Sequence, residues 1–219
     1  MAAPRGPKRP AALDLRLPEL ADTTVGAGPV GGVREGERYA DADLSGVDLA
    51  RTSFRECAFE RVSLHEADLR GVHLVECRLS AVDAPVLSAP RSSWRTVSWS
   101  GSRIGALEAY ETTWRNVSVG ECKLGYLNAR GSTWTDVLLT GCTIDELDLA
   151  GATLTRVALP GCRVGTLRLP GSTLTDVDLR DTTLQVVEDL AGLAGAWVSE
   201  SQLVELAPLL ADHLKIRVG

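Results

Sequence analysis

The chain has 219 residues, 44% of them hydrophobic, with a formal net charge of −6 and five cysteines. That length supports one domain with a true core, the mild acidity argues against general nucleic-acid binding, and no apolar run approaches the roughly 18 residues of a membrane span. The start, Met1 to Pro10, is basic but has no apolar h-region, so it does not read as a secretory signal.

Residues 1–13 are rich in Pro, Lys and Arg and are expected to be a disordered tail. Residues 14–40 are expected to build an irregular N-terminal cap. Gly26, Gly28 and Gly31 formally spell G-x-G-x-x-G, but Pro29 lies inside and no helical pattern follows, which argues against a dinucleotide site.

From Leu44 to Leu184 every fifth residue falls in one unbroken frame. All of these positions are large and apolar except Ala84, Ala89, Ala109 and Ala129. The residue two before each is Ala, Val, Thr, Cys, Ser or Leu, as in Ala42, Val47, Thr52 and Cys57, and neither position is ever charged. Period five fits neither an amphipathic helix nor a flat strand. Two inward positions, a corner and a restart describe a solenoid with short flat sides.

A second beat of twenty sets the number of sides. Trp94, Trp114 and Trp134 recur at that spacing, as do Cys122, Cys142 and Cys162, and Leu107, Leu127, Leu147 and Leu167. Gly131, Gly151 and Gly171 mark one corner, Gly141 and Gly161 another. Twenty residues are four quintets, so the expected fold is an all-β solenoid with four sides and about seven coils over residues 41–187. Residues twenty apart should stack about 4.8 Å from one another. Inside, volume must be conserved. The turn holding Trp94 and Trp99 also holds Ala109, and that of Trp114 holds Ala129. The tryptophans therefore read as core, and the five cysteines as small inward fillers in a reducing cytoplasm. The weakest stretch is residues 84–91, where Pro85 and Pro90 remove backbone donors and a local ladder defect is expected.

Quintets such as Ala42-Asp43-Leu44-Ser45-Gly46, Val47-Asp48-Leu49-Ala50-Arg51 and Ala67-Asp68-Leu69-Arg70-Gly71 resemble the A(D/N)LXX signature of pentapeptide-repeat proteins. The resemblance implies a right-handed quadrilateral β-helix. One branch of that family resembles DNA in shape and charge, binds DNA gyrase and topoisomerase IV, confers fluoroquinolone resistance, and dimerises through C-terminal helices. Family resemblance alone does not carry that role to this chain.

Past the repeats, residues 188–219 read as a C-terminal helical cap or a dimerisation segment. Ser199-Glu200-Ser201-Gln202 has the form of a capping box. Leu203, Leu206, Leu209, Leu210 and Leu214 then recur at helical spacing, with Pro208 expected to kink the segment or split it in two. A lid over the last coil and a face for a second copy both fit this pattern.

No catalytic, cofactor-binding or metal-ligating constellation stands out. His65 and His73 fall on different sides of a four-sided coil, His213 lies in the tail, and no H-E-x-x-H, P-loop or nucleophile elbow occurs. Threonines in columns (Thr113, Thr133, Thr153, Thr173 and Thr135, Thr155, Thr175) suit a β surface. One column carries Asp48, Asp68, Glu108 and Asp148 along the rod and is the candidate acidic interaction stripe, although Arg51, Arg70, Arg91 and Arg130 on the same side dilute it. The expectation is a non-enzymatic cytoplasmic protein presenting a rigid surface to a protein partner, with no direct nucleic-acid or membrane contact. The alternative is a DNA mimic that binds DNA gyrase or topoisomerase IV.

Overall fold

The computed structural model describes residues 6–23 and 31–217; the G-x-G-x-x-G stretch at Gly26 and Gly28 lies outside them. The strands begin with β1 (Ala21–Asp22), β2 (Val33–Glu35), β3 (Glu37–Ala40), β4 (Ser53–Arg55), β5 (Ala58–Glu60) and β6 (His73–Ser80). They continue with β7 (Asp83–Ser88), β8 (Ser93–Ser100), β9 (Arg103–Glu108), β10 (Thr113–Gly120), β11 (Lys123–Asn128) and β12 (Thr133–Thr140). Last come β13 (Thr143–Asp148), β14 (Thr153–Ala158), β15 (Arg163–Arg168), β16 (Thr173–Asp178) and β17 (Thr183–Glu188), then a 3-10 turn at Leu190–Leu193, β18 (Ala196–Trp197) and the α-helix α1 (Glu200–His213).

All strand pairs are parallel and almost all are offset by one coil. Trp94, Trp114 and Trp134 face one another in register through β8, β10 and β12, and Leu107, Leu127, Leu147 and Leu167 do so through β9, β11, β13 and β15. The ladders form a 12-stranded sheet around two walls and a 6-stranded sheet, running from β7 to β17, on the opposite side. The chain is thus a four-sided β-solenoid of about eight turns, one more than the apolar frame indicates. The extra turn lies before Leu44. Tyr39 stacks on Phe59 with ring centroids 4.9 Å apart, and β2 and β3 pair with β4 and β5 at the same twenty-residue offset. The frame hides this coil because Arg34 and Glu37 put charges at inward-phase positions, where they lie 3.8 Å apart.

The lumen is filled as volume conservation requires. The three tryptophans stack at 4.7 and 4.6 Å with planes within 12° of parallel, and Trp99 meets Trp94 edge-on at 5.4 Å. All five cysteines are free and buried. Cys162, hydrogen-bonded to Cys142 and enclosed by the core, has its thiol pushed above the ordinary range. Three of the four edges carry residues in the left-handed region coil after coil, while the fourth does so only at Gly46 and Glu66. One edge uses Gly131, Gly151 and Gly171 there, while another uses Glu56, Glu76, Thr96, Asn116 and Asp136.

The expected defect at Pro85 and Pro90 takes a different form. β7, which contains Pro85, pairs with β9 in full register from Asp83 to Ser88. The change lies on its other side, where the earlier coils contribute isolated bridges such as Ser63 with Asp83 and Asp68 with Ser88. There Gly46 and Glu66 make left-handed corners that break the wall into two short flats.

Two ends are closed differently from expectation. Residues 6–13, read from composition as disordered, lie with residues 14–20 as an extended arm against the solenoid; residues 1–5 fall outside the described residues. Two aspartates fix the arm by accepting its backbone N–H groups, at Lys8 and Ala11. At the other end Pro208 does not divide α1, which is one helix from Glu200 to His213. The proline lacks the N–H that would reach the Val204 carbonyl, and Val204 is 73% exposed, so water can reach that carbonyl instead.

Candidate interaction surfaces

Outward side chains stand in rows because inward ones stack. On the wall backed by Trp134, Leu154 and Leu174, Thr133, Thr153 and Thr173 lie in register beside a second row, Thr135, Thr155 and Thr175. On the opposite sheet, Gly105 and Gly125 leave a bare trough of about 380 Å³ rimmed by Arg103 and Lys123, with Asp83 and Asp145 at its ends. A Cβ at Gly105 would run into the Pro85 carbonyl oxygen, and one at Gly125 into that of Gly105, so glycine is what lets the strands approach there.

The acidic column is collinear. Asp48 bridges to Asp68, and Glu108, Asn128, Asp148 and Arg168 follow one another in register. Its carboxylates are engaged locally. Asp48 is exposed and accepts the Ala50 N–H at 2.9 Å. Asp68 accepts the Arg70 N–H at 3.0 Å and pairs with its guanidinium at 2.5 Å, a contact that holds the carboxyl below its usual range. Glu108 accepts from Asn128 Nδ2 at 2.6 Å. Asp148 is buried, accepts the Ala150 N–H at 3.0 Å and lies 3.7 Å from the Arg130 guanidinium.

Elsewhere charges are stitched between coils. Arg61 reaches Asp41 at 2.6 Å, Arg91 reaches Glu111 at 2.7 Å, Arg156 holds Asp136 with two bonds of 2.7 Å, and Arg168 sits between Glu146 and Glu188. These pairs alternate sign along the axis, which cancels field at a distance. Eighteen acidic and fifteen basic side chains lie within residues 42–186, so little net charge remains on the coil.

The C-terminal helix is anchored at its first turn. Ser199 caps it, accepting the Gln202 N–H at 3.2 Å, while Gln202 Oε1 accepts the Ser199 N–H at 2.7 Å. Gln202 Nε2 then donates to the last coil's Leu179 and Thr182 carbonyls, both at 2.7 Å. Of the leucines singled out by helical spacing, Leu206 is buried and Leu210 half-buried. Leu203, Leu209 and Leu214 are exposed, as are Val204 and Ile216.

The arm is the surface that reading the sequence by composition missed. Lys8 N–H donates to Asp176 Oδ1 at 3.1 Å and Ala11 N–H to Asp136 Oδ1 at 3.0 Å, before the chain turns into β1 beside β3. Leu13, Leu15 and Leu17 are half-buried while Asp14 and Arg16 are exposed. That alternation is the signal that would have marked an extended segment lying on a surface. Among the described residues no group of three His, Cys, Asp or Glu side chains is placed to hold a metal ion. No helix there is long and apolar enough to cross a membrane.

Fold and surface together define a rigid repeat protein whose side chains are displayed in fixed rows on four walls. The model for pentapeptide repeats matches residues 42–80 in 8 copies, and the same ladder continues beyond them. Among solved structures it is similar to a trypsin-treated variant of QnrB1, a plasmid-mediated fluoroquinolone resistance protein. The identity is 20%, over 87% of this chain and 92% of that one, with a TM-score of 0.40. Full-length QnrB1 gives 20% identity over 83% and 91%, with a TM-score of 0.35. HetL, a pentapeptide repeat protein involved in heterocyst differentiation regulation from the cyanobacterium Nostoc sp., gives 17% over 78% and 90%, with a TM-score of 0.33. No curated protein matches the chain by sequence.

Proposed function

We propose that this protein is a non-enzymatic, rigid surface for binding another protein, and that it works as a pair joined through α1. The observation that carries the pairing is the exposed apolar set on and just past the helix: Leu203, Val204, Leu209, Leu214 and Ile216. A lid has no use for them, because Gln202 and Leu206 already seat the helix on the last coil. A second copy would take these side chains out of water. The mass of the full chain in solution tests this. A dimer that becomes a soluble monomer in L209E/L214E supports it; a monomer at every concentration overturns it.

The collinear Asp48, Asp68, Glu108 and Asp148 favour a second reading, a DNA-like face for DNA gyrase or topoisomerase IV. Arg70, Arg130 and Arg168 interleave with those acids and weaken it. A supercoiling assay with purified gyrase, with and without a fluoroquinolone, decides between the two. No effect at excess protein removes the topoisomerase reading.

A further inference from the structure

The arm crosses the walls at right angles to the strands. Lys8 is fixed at the level of Asp176 and Ala11 at that of Asp136, two coils apart. Two coils rise about 9.6 Å, and three residues reach at most about 10 Å, so this stretch is fully extended. From Ala11 the arm passes five further coils to β1, where Ala21 N–H donates to Gly36 O at 2.9 Å. Its early part lies over a groove floored by Leu138, Ala158 and Pro160 and rimmed by Asp178, Arg180 and Asp181. The Arg9 guanidinium lies close enough to help Arg180 hold the Asp178 carboxyl below its usual range.

Three features make this groove a receptor that its own arm fills incompletely. Asp136 and Asp176 read backbone N–H groups, which any extended peptide offers. The remaining contacts are half-buried prolines and leucines with no strand ladder before β1. Between Pro10-Ala11-Ala12 and the coil a cleft of about 480 Å³ stays open. Further along, the wall presents small residues, Ser118 and Gly120, then Ser98 and Ser100, against which Leu13, Leu15 and Leu17 can lie. The chemistry selected is an extended chain, held straight by proline, with cations opposite the aspartates and alternate apolar residues behind them.

We propose that this face is a peptide-docking groove, and that residues 6–20 are its built-in, displaceable occupant, competing with an extended, basic, proline-bearing segment of a partner protein. The test uses the full chain and a fluorescent peptide of residues 6–17. Lys8→Pro with Ala11→Pro removes both anchoring donors and leaves the groove untouched; Leu15→Glu with Leu17→Glu lifts the arm by another route. Anisotropy titration should show the peptide binding both variants at least tenfold more tightly than the unaltered chain. Adding Asp136→Asn and Asp176→Asn to the first variant should cost at least tenfold of that binding. Equal binding to altered and unaltered chains, binding to none, or indifference to the aspartate changes overturns the proposal. So does a doubled mass that is lost in K8P/A11P yet kept in L209E/L214E, which would make the arm an exchange element between two copies.

Discussion

Substituting two of the lumen tryptophans by phenylalanine should give unequal losses. Trp99 and Trp114 are both 1% exposed. Trp99 Nε1–H donates to Ser102 Oγ at 2.8 Å, whereas Trp114 Nε1–H is buried without a partner. Trp→Phe removes about 40 Å² of buried surface, about 1 kcal/mol, and the space left adds about as much again. At Trp99 a buried hydrogen bond goes too, about 1 kcal/mol more, so W99F should cost about 3 kcal/mol. At Trp114 an unsatisfied donor disappears, returning about 1–3 kcal/mol, while a phenyl ring still stacks between Trp94 and Trp134. W114F should therefore lie within about 1 kcal/mol of the unaltered chain. Equilibrium denaturation in guanidinium, followed by far-ultraviolet circular dichroism, measures both midpoints. A W114F loss equal to that of W99F refutes the reasoning, since it would mean that the Trp114 donor is satisfied in the folded chain.

Gln202→Ala removes two hydrogen bonds to the last coil and half of the cap; it should weaken helix docking by about 2–3 kcal/mol, read as faster amide hydrogen exchange in α1. Gly105→Val forces β9 away from the Pro85 carbonyl and should cost about 1–3 kcal/mol, measured as a lower thermal midpoint. Asp68, Asp136 and Asp178 are held below the usual carboxylate range by Arg70, Arg156 and Arg180 respectively. Depressed folded-state values contribute stability above the unfolded value and lose it as pH falls, so the denaturation midpoint should stay level from pH 7 to 5 and decline below about pH 4. Asp136→Asn should shallow that decline; an unchanged acid limb would count against the pairing.

The walls were legible because the solenoid imposes its period on every coil. Trp94, Trp114 and Trp134 could stack in no other way once twenty residues made a turn, and Ser199 and Gln202 announced the helix start. What failed were features that depend on exceptions. Arg34 and Glu37 mask the first coil because charges at inward phases look like the end of the pattern, although the two pair with each other. Pro208 looks disruptive until its orphaned carbonyl is found on the water side. The arm escaped because composition averages over residues 1–13, while its placement rests on two backbone N–H groups and on aspartates far along the chain. The charge column and the arginines that dilute it were visible in sequence; the contacts that quench it, Arg70 closing on Asp68 and Asn128 on Glu108 from a coil above, needed coordinates.

The arm's anchors have a consequence for biogenesis. Each ladder contact joins segments made moments apart, so coils can zip up one after another as the chain lengthens. Lys8 and Asp176 are separated by 168 positions, so that clasp cannot close until nearly all of the chain has been synthesised. At roughly 5–20 residues per second the wait is on the order of ten to thirty seconds. Throughout that interval the arm has no seat, because the coils that carry Asp136 and Asp176 do not yet exist, and its closure marks the moment at which a finished molecule differs from a growing one.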